Sequence, residues 1–527
     1  MITSWLSSPH TTSGEDHQAT RAVCENLYAR LLPGITNVTD RARYYSFYPW
    51  VIWQCHQRGV PADQFIPTLR AADSLFTLIG LAQNRSARAL VGSGTFRSVL
   101  DALPSRAAKI SDYTHLEPAA NRYFKNPRGG LGQYYLGSLE LLEILSRKGS
   151  VIQLTPERGV PLAEAVDSGV DGDAFFAALT EDQIRPETLT SLASFSPDAL
   201  SSRHQEHALL MGLMFNTAGP MHTTDISAHR RRLTLGLMLH LTDTLGALPN
   251  QADFRALVYT GALQDGSPWR LPEALETHRK RWAIYQRNDL LSLAAQGIFQ
   301  SGLTRLEAVA GGSIPSARQF GAFVGQQFFN DLPDQTVAQV IDAQPLPDLA
   351  LWSDPRHEIQ LARNILSCVS RPSVQQQQFQ ASSALALILA LCARDSRDRA
   401  PYGDEILTDS YLLPYPINLI SLRARSREWM SMPVGELATW LAHRWGIDVH
   451  LRVALRKLRQ QSTDTFQIRP LEGRLQIKSI PPAVASVPRY RTARQILLDL
   501  GLLSVDNSGA MKLTEIGQQQ KMEVENG

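Results

Sequence analysis

Apolar side chains recur every three or four positions along most of the chain, the period that lines one face of a helix. The spacing predicts helices over 19–32 and 136–147. Short helices over 161–169, 171–184 and 187–200 follow, set apart by Gly, Pro and capping Ser, Asp or Thr. Longer amphipathic helices are predicted over 201–215 and 227–246. The apolar run 384–392 is unbroken, which reads as a helix buried on all sides and too short to span a bilayer. No fixed repeat period emerges. From about 411 the pattern changes. Two amphipathic helices, 434–446 and 449–461, precede strand-like stretches at 465–470 and 474–480 around the turn Leu471-Glu472-Gly473. The tail from 488 reads helix, strand, turn, strand and short helix, with Asp506-Asn507-Ser508-Gly509 as the turn.

These elements make the expected fold mainly α: a multidomain helical array with a C-terminal winged-helix-like α+β domain. A chain of 527 residues has room for two to four domains. The expected segments are an N-terminal helical domain over 1–160, the helical array over 161–410 and the last domain over 411–527. The order of the tail resembles a winged helix. That resemblance implies a recognition helix over 489–500, carrying Arg489, Arg491 and Arg494, and a wing around Asn507. Arginine on such a helix reads phosphates and guanine edges, although winged helices also serve as protein-interaction modules.

One stretch departs from the ordinary pattern. Between Leu31 and Trp53 a Pro-Gly breaker and the polar run TNVTDRAR lead into Tyr44, Tyr45, Phe47, Tyr48, Trp50 and Trp53. Only 8% of the chain is aromatic, so this density marks a specific role. Tyr44, Phe47 and Tyr48 share one helical face, which suits a core anchor. Pro49 should strain or end that helix unless it lies in the first turn. The competing reading is a stacking platform, with Arg41 and Arg43 on phosphates and the rings on bases. The apolar neighbours Val51 and Ile52 favour the core.

The same residues carry a resemblance. Pro33, Gly34, Thr36, Thr39, Arg41, Ala42, Arg43, Tyr44, Tyr45, Phe47, Pro49 and Trp50 are similar to a signature near the start of a family of uncharacterised bacterial proteins. The family is met in phage-defence and mobile-element gene neighbourhoods. The resemblance implies a defence-associated protein, and it implies no catalytic residue.

Composition narrows the choice of function. With 43% hydrophobic and 19% charged residues the chain is of ordinary globular type. The net charge is only +2, so any nucleic-acid contact must come from a local patch. Cys24, Cys55, Cys368 and Cys392 lie far apart without CxxC spacing, which suits the reducing bacterial cytoplasm rather than a zinc ribbon. No basic-then-apolar leader opens the sequence. The densest basic region runs from Arg423 to Arg459 and includes Arg444, Arg452, Arg456 and Lys457. Arg230, Arg231 and Arg232 form a second cluster, and three consecutive arginines on a helix point in different directions. A solvated face explains such runs as readily as phosphate binding. The candidate nucleic-acid contacts are therefore Arg41, Arg43, Arg230, Arg231, Arg232, Arg456, Lys457, Arg489, Arg491 and Arg494.

No complete catalytic, metal or cofactor motif accompanies them. Gly129-Gly130 and Gly132 precede Tyr134 and Tyr135, but the loop lacks the GK[ST] of a phosphate-binding P-loop. His278-Arg279-Lys280 has the HxK of a phospholipase-D site without its Asp, and reads as a solvated basic face. Gln476 and Lys478, with Asp464 upstream, form half a nuclease motif that lacks the carboxylates two-metal hydrolysis needs. His204 and His207 flank Glu206 at a spacing that can share a metal, yet more often mark a polar helix face. The expected function is a non-catalytic DNA-binding or scaffold subunit of a bacterial anti-phage complex. Its partners would be DNA and an ATPase, helicase or nuclease of the same system, with no membrane association. The alternative is a nuclease or nucleotide-acting enzyme whose site forms from residues distant in sequence.

Overall fold

The computed structural model describes residues 10–11, 16–103, 106–119, 121–149, 151–332, 334–368, 372–397, 412–461 and 463–526. Helix accounts for 62% of the protein and strand for 6%, so the fold is mainly α. The chain forms two compact units. One joins residues 1–28 to 252–487, and the other joins 29–251 to 488–527. Residues 412–487 and 488–527 therefore fall in different units. The expected boundary near 410 lies outside the described residues.

The unit built from 29–251 and 488–527 is organised around the aromatic helix Tyr44–Gln57. Tyr44, Tyr45, Phe47, Tyr48 and Trp50 are each at most 1% exposed. Their rings interlock with partners from other elements. Phe47 stacks on Phe76 at 4.0 Å, Tyr44 meets Tyr135 at 4.9 Å and Trp50 meets Phe195 at 5.0 Å. Each polar tip has a partner, as buried Tyr and Trp require. Tyr45 Oη donates to the Gly34 carbonyl, Tyr48 Oη to Asp73, and Trp50 Nε1 to Asp167. Pro49 lies within the helix and does not end it. Packing on every side outweighs the single hydrogen bond that proline removes.

Gly34 adopts a φ of +79°, and a Cβ there would sit 2.4 Å from Leu142. Only glycine fits this turn, which carries the chain into the aromatic helix. The Gly129-Gly130 loop is also structural. The Gly130 N–H donates to Asp73 Oδ2 at 2.9 Å, and a Cβ at Gly130 would strike Val91 at 2.1 Å. Burial pushes the Asp73 carboxyl up to about 7, against the pull of Gly130, Tyr48 and Tyr123. The helix expected over 136–147 stops at Leu141. Glu143 takes a left-handed φ of 56°, and the chain turns into a hairpin of Leu145–Lys148 and Val151–Leu154. The tail forms the helix Tyr490–Asp499, a two-stranded hairpin of Leu503–Val505 and Met511–Leu513, and the helix Glu515–Asn526.

The other unit is built on the 38-residue helix Glu273–Ala310. The helix Val374–Arg397 packs along it, and its apolar segment 384–392 is mostly buried, with Ala386 and Leu389 half-buried rather than enclosed on all sides. Val434–Trp440, a π-helical stretch Leu441–Asp448 and Val449–Gln461 run on as one continuous helical segment, where the sequence suggested two helices. Trp429, Trp440 and Trp445 cluster edge to face at its start, with centroids 5.1–6.0 Å apart. Strands Ile468–Leu471 and Arg474–Ile477 pair around Glu472 and Gly473, both at positive φ, and Ser313–Ile314 adds a third strand. Three carboxylates are buried against arginines: Asp289 with Arg255, Glu358 with Arg394, and Asp395 with Arg423.

Among the described residues one helix, Ala62–Gln83, is long and apolar enough to cross a bilayer, and most of its apolar stretch is buried. The four cysteines are free thiols.

The aromatic helix depends on one interior ion pair. Arg43 binds Glu206 through both Nε and Nη2, at 3.1 and 2.9 Å, and both side chains are at most 1% exposed. Glu206→Gln should destabilise the protein by about 3–5 kcal/mol, because it leaves a buried guanidinium unpaired. Replacing both partners by apolar residues of similar volume should recover much of that loss. Denaturant unfolding of the two variants checks it; equal loss in both would show that the pair itself, and not the unpaired charge, carries the energy.

Candidate nucleic-acid interface

The ten candidate cations divide sharply by burial. Arg41 and Arg43 lie inside the unit of 29–251 and 488–527. Arg41 Nε binds Asp499 at 2.9 Å and its Nη2 binds Asp198 at 2.6 Å. Burial opposes its charge, but Asp499 and Asp198 more than offset it and push the guanidinium further up. Arg43 adds bonds to the Ser194 and Ser196 carbonyls, both at 2.6 Å. Arg231 is buried, makes no ion pair among the described residues and donates to the carbonyls of Met214, Leu213 and Pro33. Burial pushes it down to about 10. A phosphate backbone meets surface groups, and these three side chains are 3% exposed or less. The rings of Tyr44, Tyr45, Phe47, Tyr48 and Trp50 are equally out of reach of bases, and Trp53 alone of the six is half-buried, so the segment is chiefly a core element rather than a stacking platform.

Arg230 and Arg232 are half-buried, and Arg232 donates to the Glu523 carbonyl at 2.6 Å. On the tail helix, Arg489 takes a left-handed φ of 61° and turns inward to the Leu32 and Ile35 carbonyls. Arg491 remains 65% exposed and pairs with Asp40 at 3.0 Å. Arg494 is half-buried. The helix offers one exposed arginine, already paired, and not the row of three its sequence suggested.

The HRKRW stretch also differs from the expected solvated face. His278 and Arg279 are buried, and Arg279 chelates Glu276 with two bonds of 2.7 Å. Glu206 is spent on Arg43, and His207 Nε2 contacts the Leu500 carbonyl at 2.9 Å. The structure does bring Lys478 to Asp464, at 3.1 Å, with Arg469 at 3.9 Å. Burial raises the Asp464 carboxyl, but Lys478 and the Phe466 N–H hold it below the usual carboxylate range.

A surface of a different kind lies in the unit of 1–28 and 252–487. Residues 412–487 carry eleven Lys and Arg against five Asp and Glu, although the whole chain is nearly neutral. The helix Val449–Gln461 contains no acid. Val449, His450, Val453 and Ala454 are buried, which turns the opposite face outward. That face presents Arg452, Leu455, Arg456 and Arg459 at helical spacing, all exposed. Arg456 and Arg459 make no ion pair among the described residues. Among the described residues Arg452 donates only to the Asp448 carbonyl one turn back, at 3.2 Å. Lys457 points away from this row and donates to the Asp16 carbonyl at 3.2 Å.

Of the sequence candidates, Arg456 belongs to the exposed row. Arg452 and Arg459 were not among them, although their i, i+4, i+7 spacing with Arg456 was legible.

His450 fixes how this helix sits. The Gln467 N–H donates to its Nε2 at 3.0 Å, so Nε2 accepts and Nδ1 carries the proton toward the His17 carbonyl at 3.2 Å. Both ring nitrogens are satisfied only in the neutral form. Burial pushes the imidazole down to about 3, and the nearby His17 and Lys457 act in the same direction.

Comparison with known proteins finds no matching family model, no curated protein of significant similarity and no similar solved structure.

A pH effect follows from His450. The unfolded histidine takes a proton near 6.5 and the folded one only near 3. Its contribution is complete above 6.5 and is lost as pH falls, by up to about 1.4 kcal/mol for each unit across that window. Urea unfolding at several pH values should show this slope, and His450→Gln should flatten it relative to the parent. An unchanged slope in the variant would mean that His450 is charged in the folded protein.

Proposed function

We propose that the protein is a non-catalytic nucleic-acid-binding or scaffold subunit of a bacterial anti-phage defence complex. Its contact to nucleic acid is the exposed face of the helix Val449–Gln461. The observation that carries this reading is the row Arg452, Arg456 and Arg459 on a helix with no acid of its own. Exposed arginines so spaced match a polyanion that presents charge at regular intervals. The contact is to phosphates, which position a protein but do not read sequence. Duplex DNA is the favoured ligand, because a single strand would call for exposed stacking rings and the aromatics that flank the helix in sequence, Trp445 and Phe466, are buried. The defence context rests on the signature segment's resemblance, and an ATPase, helicase or nuclease of the same system would supply the chemistry in the cytoplasm. The tail's helix, hairpin and helix, with Arg491 and Lys512 exposed, serve in this reading as a protein-interaction module of winged-helix type.

The test is duplex binding by the full chain across a salt series. The log–log salt slope should fall by about three when Arg452, Arg456 and Arg459 are all changed to Gln, close to one for each phosphate no longer neutralised. Affinity should drop about equally on unrelated sequences. Arg491→Gln should leave the slope unchanged. No binding at low salt, or an unaltered slope in the triple variant, overturns the assignment.

A second reading has one observation in its favour, the approach of Lys478 to Asp464. A nuclease there would need Mg²⁺ or Mn²⁺ and further carboxylates. Incubation with plasmid, single-stranded DNA and RNA in the presence of either ion should give no cleavage. Cleavage abolished by Lys478→Ala would replace the non-catalytic reading with this one.

A further inference from the structure

A groove of about 1040 Å³ runs beside the strand Val151–Leu154 in the unit of 29–251 and 488–527. Trp53, Val60, Phe65 and Ile66 line it, none of them fully buried, and Val151 is 54% exposed. The strand forms its wall and pairs only with Leu145–Lys148 among the described residues.

The register shows which backbone groups are free. Lys148 pairs with Val151 across two residues, and Ser146 with Gln153. In a hairpin of that loop length the closing pair exchanges both hydrogen bonds, and the pairs then alternate. The N–H and C=O of Ile152 and Leu154 therefore point away from the partner strand. The strand reads Val-Ile-Gln-Leu, without the charge, proline or bulge that usually blunts an exposed edge.

Charged side chains of both signs lie about the strand. Lys148, paired at the hairpin tip with the groove-lining Val151, is exposed and makes no ion pair among the described residues, whereas Arg147 is held by Glu140 at 2.7 Å and Arg128 lines the groove itself. At the other end of the strand a Cβ on Gly159 would lie 3.0 Å from Leu154, which puts the helix Gly159–Asp167 beside that residue. Its exposed Glu164 lines the groove and has no ion pair among the described residues.

We propose that this groove docks an extended peptide segment of a partner protein. The segment adds to the hairpin as a third strand. Its backbone bonds Ile152 and Leu154, alternate apolar side chains settle over Trp53, Phe65 and Ile66, and an acidic residue faces Lys148 while a basic one faces Glu164. An unpaired strand edge dictates an extended occupant, the apolar floor dictates alternation, and the two opposite charges set its direction.

The probe is a fluorescein-labelled octapeptide of alternating valine and threonine, with lysine at one end and glutamate at the other. Fluorescence polarisation with the full-length protein should show saturable binding. Methylating the backbone nitrogens on one edge of the peptide should weaken it by about tenfold, the order expected when a few hydrogen bonds worth about 1 kcal/mol each are only partly broken. Ile152→Pro should do the same, because the N–H it removes faces the free edge and not the hairpin ladder. An unchanged melting temperature in that variant excludes misfolding, and Phe65→Ser gives an independent lesion in the groove floor. Lys148→Glu should shift preference to the peptide with its end charges exchanged. Equal binding of the methylated peptide, or indifference to both Ile152→Pro and Phe65→Ser, overturns the proposal. A dimer of the protein that Ile152→Pro dissolves would assign the edge to a second copy and overturn it equally.

Discussion

The unit of 29–251 and 488–527 depends on charge placed in its interior. Between the helices Arg21–Leu31 and Tyr44–Gln57 the chain has no regular backbone ladder, so its polar groups need other partners. Arginine supplies them. Arg41 joins the segment to Asp198 and Asp499, and Asp499 also accepts from the Ala42 N–H at 2.9 Å. Arg43 clamps Glu206 and two carbonyls, and Ser46 completes Glu206 with a bond of 2.6 Å. A planar guanidinium can serve several acceptors at fixed angles while staying charged, which an ammonium cannot. Asp40 extends the arrangement by accepting from Thr492 and Arg491. The aromatic helix packs as tightly as it does because its entry is held in this way.

The same residue type does opposite work on the helix Val449–Gln461. There the arginines have no acid within their own helix, and the opposite face is anchored by a histidine that must stay neutral. A charged His450 would have two donors where the Gln467 N–H needs an acceptor. Burying a neutral ring next to Lys457 and below the arginine row keeps positive charge at the surface and out of the interior. The net charge of the chain hides this, because acids elsewhere cancel it. A local excess acts over about one Debye length, roughly 8–10 Å in ordinary salt, so a patch can attract a polyanion that the whole molecule would not.

Much of the helical framework was legible because its period is local. The helices 201–215 and 227–246 appear within a few residues of their expected limits, as His204–Phe215 and Ile226–Leu245. The turns at Glu472-Gly473 and Asp506–Gly509 also follow from residue type alone. The helix expected to reach 147 failed for a reason equally local, the left-handed Glu143, which leucine spacing does not encode. Pro49 misled in the other direction, since packing on all sides is not a local property. The core reading of the aromatic run was accessible from Val51 and Ile52, whereas the partners of Arg41 were not. Asp499 lies 458 residues away. Without that pairing, a buried arginine and an exposed one look alike in a sequence.

That distance also bears on how the protein divides. The tail helix Tyr490–Asp499 is tied to the start of its unit through Arg489, Thr492 and Asp499, which reach Leu32, Ile35, Asp40 and Arg41. The basic helix Val449–Gln461, close to it in sequence, belongs to the unit of 1–28 and 252–487 and is anchored there by His17 and Asp16. A fragment starting near 411 would contain the basic row, the tail and Gln467, but not Asp16, His17, Asp40 or Arg41, which anchor them. Arg41 would be missing opposite Asp499, and His17 opposite His450. Failure of such a fragment to bind would then report a broken scaffold rather than an absent interface. The proposed interface must be probed in the whole chain, by substitutions such as those at Arg452, Arg456 and Arg459 that change exposed charge.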